Sequence, residues 1–271
     1  MEWLLLVVVG LFSGIVGSVV GLGGGVILVP AIVYLGSIGW IDGITPQTVV
    51  GLSVIMMIFV GLSSTIAYMK KKTVDFKSGF IFFAGSAPGT VVGAFVNRGL
   101  DLPSFQLYFG IMMVFLALLL LVRKYLKPVE WFVKNGRKTT FEDARGTYVY
   151  GYPIWFAVLL TFGIGFSSGL FGIGGGSMLV PAMLLLFLFP PHVAVGTSMF
   201  MVFLSALVNS ITHISLGNVP WLYTIPVIPA AYIGAKVGAY LNHRLNSDSL
   251  VILLQIVLLL LGIRSIYDGL M

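Results

Sequence analysis

There is no cysteine among these 271 residues, which excludes disulfides and thiolate-held metals. Charge is scarce too: Asp, Glu, Lys and Arg make up 9% of the chain, against roughly a quarter in a soluble domain. The three histidines, His192, His213 and His243, lack metal-ligand spacing, so no metal is expected. The glycine runs lack the Lys-Ser/Thr that completes a nucleotide-binding loop. No cofactor is therefore expected, and ATP is not the expected energy source.

Apolar residues are abundant, at 58% of the chain, and several runs reach the roughly 20 residues that cross a bilayer. A soluble core could not hide so many. The opening run has no basic residue before it and is longer than a signal peptide's apolar stretch, so it is expected to be retained. The net charge of +6 does not point to nucleic acid. The basic residues gather mainly in two short loops, the pattern that sets membrane orientation.

Four apolar segments, 3–36, 46–69, 76–96 and 105–122, precede a polar stretch, and four follow it, 152–189, 192–216, 219–241 and 250–267. The expected fold is an all-α polytopic membrane protein of about eight transmembrane segments. Residues 1–126 form a first repeat, 127–151 a basic and aromatic connector, and 152–271 a second repeat. The halves match in three ordered blocks. GLGGGVILVPA (Gly21 to Ala31) pairs with GIGGGSMLVPA (Gly172 to Ala182), PQTVVGLS (from Pro46) with PHVAVGTS (from Pro191), and GTVVGAFVN (from Gly89) with GAKVGAYLN (from Gly234). Internal repeats of this kind place a transporter's site at the repeat interface.

Basic loops at 70–77 and 123–150 are expected to be cytoplasmic. Segment 3–36 would span about 51 Å as one helix, so its glycines should interrupt it. Either a broken helix crosses once or a hairpin returns to its starting side and inverts the second half. The single crossing is the expectation here; it places the N-terminus, and His213, on the cytoplasmic side. The connector is expected to be a solvated loop; Trp131, Phe132 and Tyr148 at the membrane interface are the alternative.

Gly23-Gly24-Gly25 and Gly174-Gly175-Gly176 should unwind the backbone at membrane depth. Such backbone is tolerated only where it is buried in protein or lines a wet cavity. The helix that resumes presents free N–H groups, which attract anions. Pro30 and Pro181 free the carbonyls of Val26 and Ser177, and the Ser177 hydroxyl can add a donor. The plainer role of small residues, close helix packing, suits Gly10-Gly14, Gly17-Gly21, Gly89-Gly93 and Gly234-Gly238.

Ser53, Thr197 and Ser198 sit near helix starts and can donate to an oxyanion or satisfy neighbouring carbonyls. Ser205, Asn209 and His213, four residues apart, share one helix face. They either join helices or line a substrate path, with His213 a candidate for proton coupling. Lys236 either snorkels to the interface or stays inside as an anion's partner. Gln47 and His192 fit interfacial roles. GFSSG at 165–169 matches the serine-hydrolase string, but that motif needs a strand-turn-helix context and this stretch reads as helix.

The paired GxGGGxxxVP, the VGLS and VGTS starts and the late histidine resemble the sulfite exporter TauE/SafE family over nearly the whole chain outside 127–151. The resemblance implies transport of small sulfur-containing anions, such as sulfite or organosulfonates, across the bacterial cytoplasmic membrane. Leu52 and Tyr68 depart from the fuller pattern, standing where the second half has Thr197 and His213. The partners implied are a small anion, the lipid bilayer and protons as coupling ion; a homo-oligomer is compatible, and an anion channel is the rival reading.

Overall fold

Where the apolar runs break decides the architecture. A computed structural model describes residues 2–123, 131, 136–143, 146–242 and 247–270. The eight expected segments resolve into ten helices among the described residues, because 3–36 and 152–189 each divide at their glycines. Helices α1 (Glu2–Val20), α2 (Gly25–Ser37), α3 (Pro46–Lys70), α4 (Phe76–Asn97) and α5 (Leu102–Arg123) come first. A hairpin of β1 (Arg137–Asp143) and β2 (Gly146–Tyr152) follows. Helices α6 (Ile154–Phe171), α7 (Gly176–Leu185), α8 (Pro191–Ser215), α9 (Trp221–Leu241) and α10 (Ser247–Leu270) complete the chain. Seven of these, α1, α3, α4, α5, α6, α8 and α9, are long and apolar enough to cross a membrane.

Local chemistry sets the boundaries. Thr45 and Thr48 cap α3 reciprocally ahead of Pro46 at its first turn. The Asp75 carboxylate accepts from the Lys77 and Ser78 amides and starts α4.

The single crossing expected for segment 3–36 does not occur. A methyl group on Gly24 would lie 2.7 Å from the Ser13 carbonyl oxygen, so α2 begins beside the middle of α1. Beyond α2, Gly39 and Trp40 share a surface pocket with Glu2, Trp3 and Leu5. The chain has therefore turned back to its starting face. Helices α6 and α7 do the same: Phe187, just past α7, accepts from the Gly151 amide just before α6, at 3.2 Å. Length alone admitted both arrangements; left-handed glycines at the break make the reversal.

The N-terminus and the connector consequently lie on opposite faces. On the connector face the Tyr68 hydroxyl, near the end of α3, meets Ser18 O near the end of α1 at 2.8 Å. On the N-terminal face Gln47 at the start of α3 donates to Asn97 O at the end of α4, also at 2.8 Å. Lys70, Lys71 and Lys72 share the connector face with the β-hairpin, through the neighbouring Asp75. Of the other basic residues expected there, Lys124, Lys127, Lys134 and Arg145 lie outside the described residues, as does Phe132.

The halves interleave. Helix α4 packs along α6, and α1 along α9. A methyl on Gly85, Gly89 or Gly93 would overlap the carbonyl oxygens of Val158, Phe162 or Phe166, and one on Gly234 or Gly238 those of Leu11 or Ile15. Here the small-residue patterns do pack backbones closely, as their plainer reading expects. Asn97 Nδ2 donates to Leu170 O at 2.8 Å, and at the matched position Asn242 Nδ2 donates to Val19 O at 2.6 Å.

Candidate functional site

The two glycine breaks meet at the centre of the bundle. Gly23 and Gly24 have φ of 86° and 88° and Gly174 has 77°, conformations that side chains resist. Gly25 and Gly176 act by size: a methyl on Gly25 would overlap the Gly172 carbonyl oxygen, and one on Gly176 the Gly21 carbonyl oxygen. Each contact is pinned by a hydroxyl. Ser53 Oγ donates to Gly172 O at 2.5 Å and Ser198 Oγ to Gly21 O at 2.7 Å. The serine of each half thus holds the broken backbone of the other.

Helices α2 and α7 resume from this crossing without a side-chain cap. Their first turns lie in the protein interior, so their N-terminal positive ends act on whatever occupies the crossing. Ser177 Oγ turns back to Gly174 O at 3.1 Å. Methionines surround the breaks. Probe methyls on Gly24, Gly174 and Gly175 would lie 3.2 Å from Met56 Cε, 2.8 Å from Met57 Sδ and 3.0 Å from Met201 Cε. The sequence reading missed these methionines; pliable side chains beside two breaks were the available signal.

The polar stripe on α8 lies further out. Ser205 Oγ meets Ser86 Oγ at 2.8 Å, and Asn209 Nδ2 faces Ser168 O at 3.4 Å, while Asn209 Oδ1 is buried with no protein partner. His213 is wholly buried. Its Nδ1 accepts from Asn218 Nδ2 at 3.0 Å, so Nε2 carries the hydrogen and faces Gly169 O at 3.4 Å. The hairpin reversal puts His213 near the N-terminal face, opposite the basic loops, which corrects its expected side. Tyr68, standing at the matched position, reaches Ser18 O by the same route.

Lys236 does not join the site. It lies on the exposed side of α9 with Ile233, Val237 and Tyr240, so the inward-facing alternative is set aside. Ser167 Oγ bonds Gly163 O of its own helix, and both ring nitrogens of His213 are engaged elsewhere, so Ser167 and His213 do not form a nucleophile–base pair.

Thr197 Oγ1 accepts from the Asp75 amide at 3.0 Å. Asp75, 7% exposed, also accepts from Ser78 Oγ at 2.5 Å and from the Tyr150 hydroxyl at 2.6 Å. Burial foremost, then the hydrogen bond to the Asp75 carboxylate, push the Tyr150 phenol above its usual range. The connector is therefore not simply a solvated loop: β2 buries Tyr150 and Tyr152 against the helices, while Trp131 is exposed and Tyr148 half-buried. Alternating tyrosines at 148, 150 and 152 were the strand signal that the sequence reading passed over.

The family model described as sulfite exporter TauE/SafE matches residues 6–265. The chain belongs to the TauE/SafE family. Its relatives include "Probable membrane transporter protein YunE" of Bacillus subtilis (strain 168), 45% identical over 270 residues and 99% of both chains. A second B. subtilis protein, "Probable membrane transporter protein YjnA", is 24% identical over 96% of this chain and 98% of its own. "Probable membrane transporter protein MJ0441" of Methanocaldococcus jannaschii is 26% identical over 96% of this chain and 93% of its own. No solved structure matches. This TauE/SafE chain is thus a multi-pass membrane protein of a transporter family.

Proposed function

We propose that this TauE/SafE chain is a secondary transporter of a small anion, with sulfite or an organosulfonate as the expected class, and that the crossed glycine breaks are its substrate site. The observation that carries the reading is the reciprocal pinning of each break by a serine of the other half. In the closed crossing those hydroxyls donate to carbonyls. When the crossing opens, the same hydroxyls turn to an oxyanion, joined by the amides of Gly23, Gly24, Gly25, Gly174, Gly175 and Gly176 and by the Ser177 and Thr197 hydroxyls. An anion oxygen then replaces a carbonyl oxygen, and no hydroxyl loses its acceptor.

The chain reads as an inverted duplication, which suits alternating access around a midplane site. The basic connector face is cytoplasmic in this reading, in the cell's inner membrane. Asn209 and His213 line the approach from the other face. His213 is the proton-coupling group: its Nδ1 accepts from Asn218, so a proton binding there must break that bond.

The test is flux into liposomes of labelled sulfite, sulfate, organosulfonates and carboxylates, with and without a pH gradient. Saturable flux of an anion that responds to the gradient is expected. Absence of flux for every anion overturns the reading, and a conductance that stays open replaces it with a channel. Gly175→Leu should end transport while membrane insertion persists, because its larger side chain meets Met201 and Ile164 beside the crossing.

A further inference from the structure

The β-hairpin between the halves lies outside the repeat and packs on the connector-face ends of the helices. Tyr150 and Tyr152 are 0% and 3% exposed. The Tyr150 hydroxyl donates to Asp75 Oδ2 and the Tyr152 hydroxyl to Ser78 Oγ, each at 2.6 Å, at the start of α4. The Gly151 amide holds Phe187 O beyond α7, and the Tyr150 ring lies 3.9 Å from that of Phe189. The Asp75 amide in turn holds Thr197 of α8 at 3.0 Å. The next residue, Ser198, pins the first break at Gly21. Three parts of the bundle, the start of α4, the end of α7 and the start of α8, are thereby tied to one strand.

The N-terminal face makes a control. Backbone packs as closely there: a methyl on Gly51 would overlap Asn218 O, as one on Gly196 would lie 2.5 Å from Thr73 O at the connector face. Yet Leu52 and Pro220 stand where Thr197 and Asp75 stand, so the matched network of hydroxyl and carboxylate cannot form. Asp75 is the one carboxylate buried among the described residues.

We propose that the β-hairpin is a latch that keeps the connector face shut, so that this face opens only when Tyr150 and Tyr152 leave Asp75 and Ser78. The crossing is then reached more readily from the N-terminal face. Opening at the connector side requires the hairpin to withdraw as a unit, because both tyrosines ride on one strand and the Gly151 amide between them holds Phe187. Asp75 acts as a positioning residue, joining the hairpin to Thr197 without touching the solute. The proposal rests on alternating access as read above, though not on the identity of the anion.

The absence of native cysteine permits a direct test. Single reporters Ala194→Cys near the start of α8, at the connector face, and Val49→Cys near the start of α3, at the other, both replace fully or nearly fully buried residues. Labelling by an impermeant maleimide is measured from each side of oriented proteoliposomes, with and without Tyr150→Phe plus Tyr152→Phe. Labelling at position 194 should rise about tenfold or more, the scale of one hydrogen bond to a charged group, while that at 49 stays within about twofold. Equal rises at both positions, or none at 194, overturn the latch. Should the double variant fail to fold, either single variant, Tyr150→Phe or Tyr152→Phe, removes one latch bond and must still raise labelling at 194 alone. The readout needs no solute: absent anion flux with a response at 194 alone removes the anion reading and leaves the latch, while normal flux with no response removes only the latch.

Discussion

The two glycine triples look interchangeable in the sequence, yet the two breaks constrain them differently. In the first break Gly23 and Gly24 both have positive φ, and Gly24 lies against the Ser13 carbonyl. In the second only the first of the three, Gly174, is left-handed; Gly175 has φ −63° and faces the flexible end of Met201 and the Ile164 side chain. The third glycine is equivalent in both, excluded from carrying a side chain by a carbonyl of the opposite break. Three glycines in a row can thus answer to three different demands: a backbone angle, a neighbour's backbone, and a neighbour that can move aside.

That comparison can be broken by substitution, beginning with the third position. Gly25→Ala and Gly176→Ala should each cost about 3 kcal/mol or more, since a carbonyl cannot rotate away as a side chain can. Thermal unfolding in detergent should show similar losses at the two sites; a loss at one alone would mean that the crossing is not reciprocal. At the middle position Gly24→Ala should cost about 1–2 kcal/mol from its left-handed backbone alone, whereas Gly175→Ala should stay within about 1 kcal/mol of the parent. Equal melting temperatures for this pair would remove the asymmetry. Ser53→Ala and Ser198→Ala should each lose about 1 kcal/mol, the net worth of an ordinary hydrogen bond, and both should weaken anion affinity in the flux assay. The smallest effect is expected at Gly163, where a methyl meets nothing within 4 Å. Gly163→Ala should stabilise by up to about 1 kcal/mol, whereas Gly165→Ala in the same helix, against Ser86 O, should destabilise.

Much of this was legible in the sequence for physical reasons. Long uncharged runs have few alternatives to membrane helices, and triple glycine followed by proline has few alternatives to a break. The chain's return at each break was not legible, because 34 residues suffice for a bent crossing or a hairpin and too few loop charges lie in the second half to choose. Nor were the partners of Ser53 and Ser198. Their acceptors are backbone carbonyls far along the chain, and a carbonyl carries no residue identity to read. Asp75 looked like one polar residue in a lysine-rich turn; its burial depends on tyrosines that a solvated connector would have left in water. Lys236 follows a different logic, since an exposed helix face and a buried one share the same apolar composition when the surroundings are lipid.

The exchange of partners between halves bears on how the protein is made. Helices α1 and α4 pack on α9 and α6, so when the first five helices have entered the membrane their glycine faces still lack the carbonyls they fit. The early half must wait in lipid with its small-residue seams uncovered until synthesis delivers the late half. Split between α5 and α6, the two fragments should therefore accumulate only when produced together.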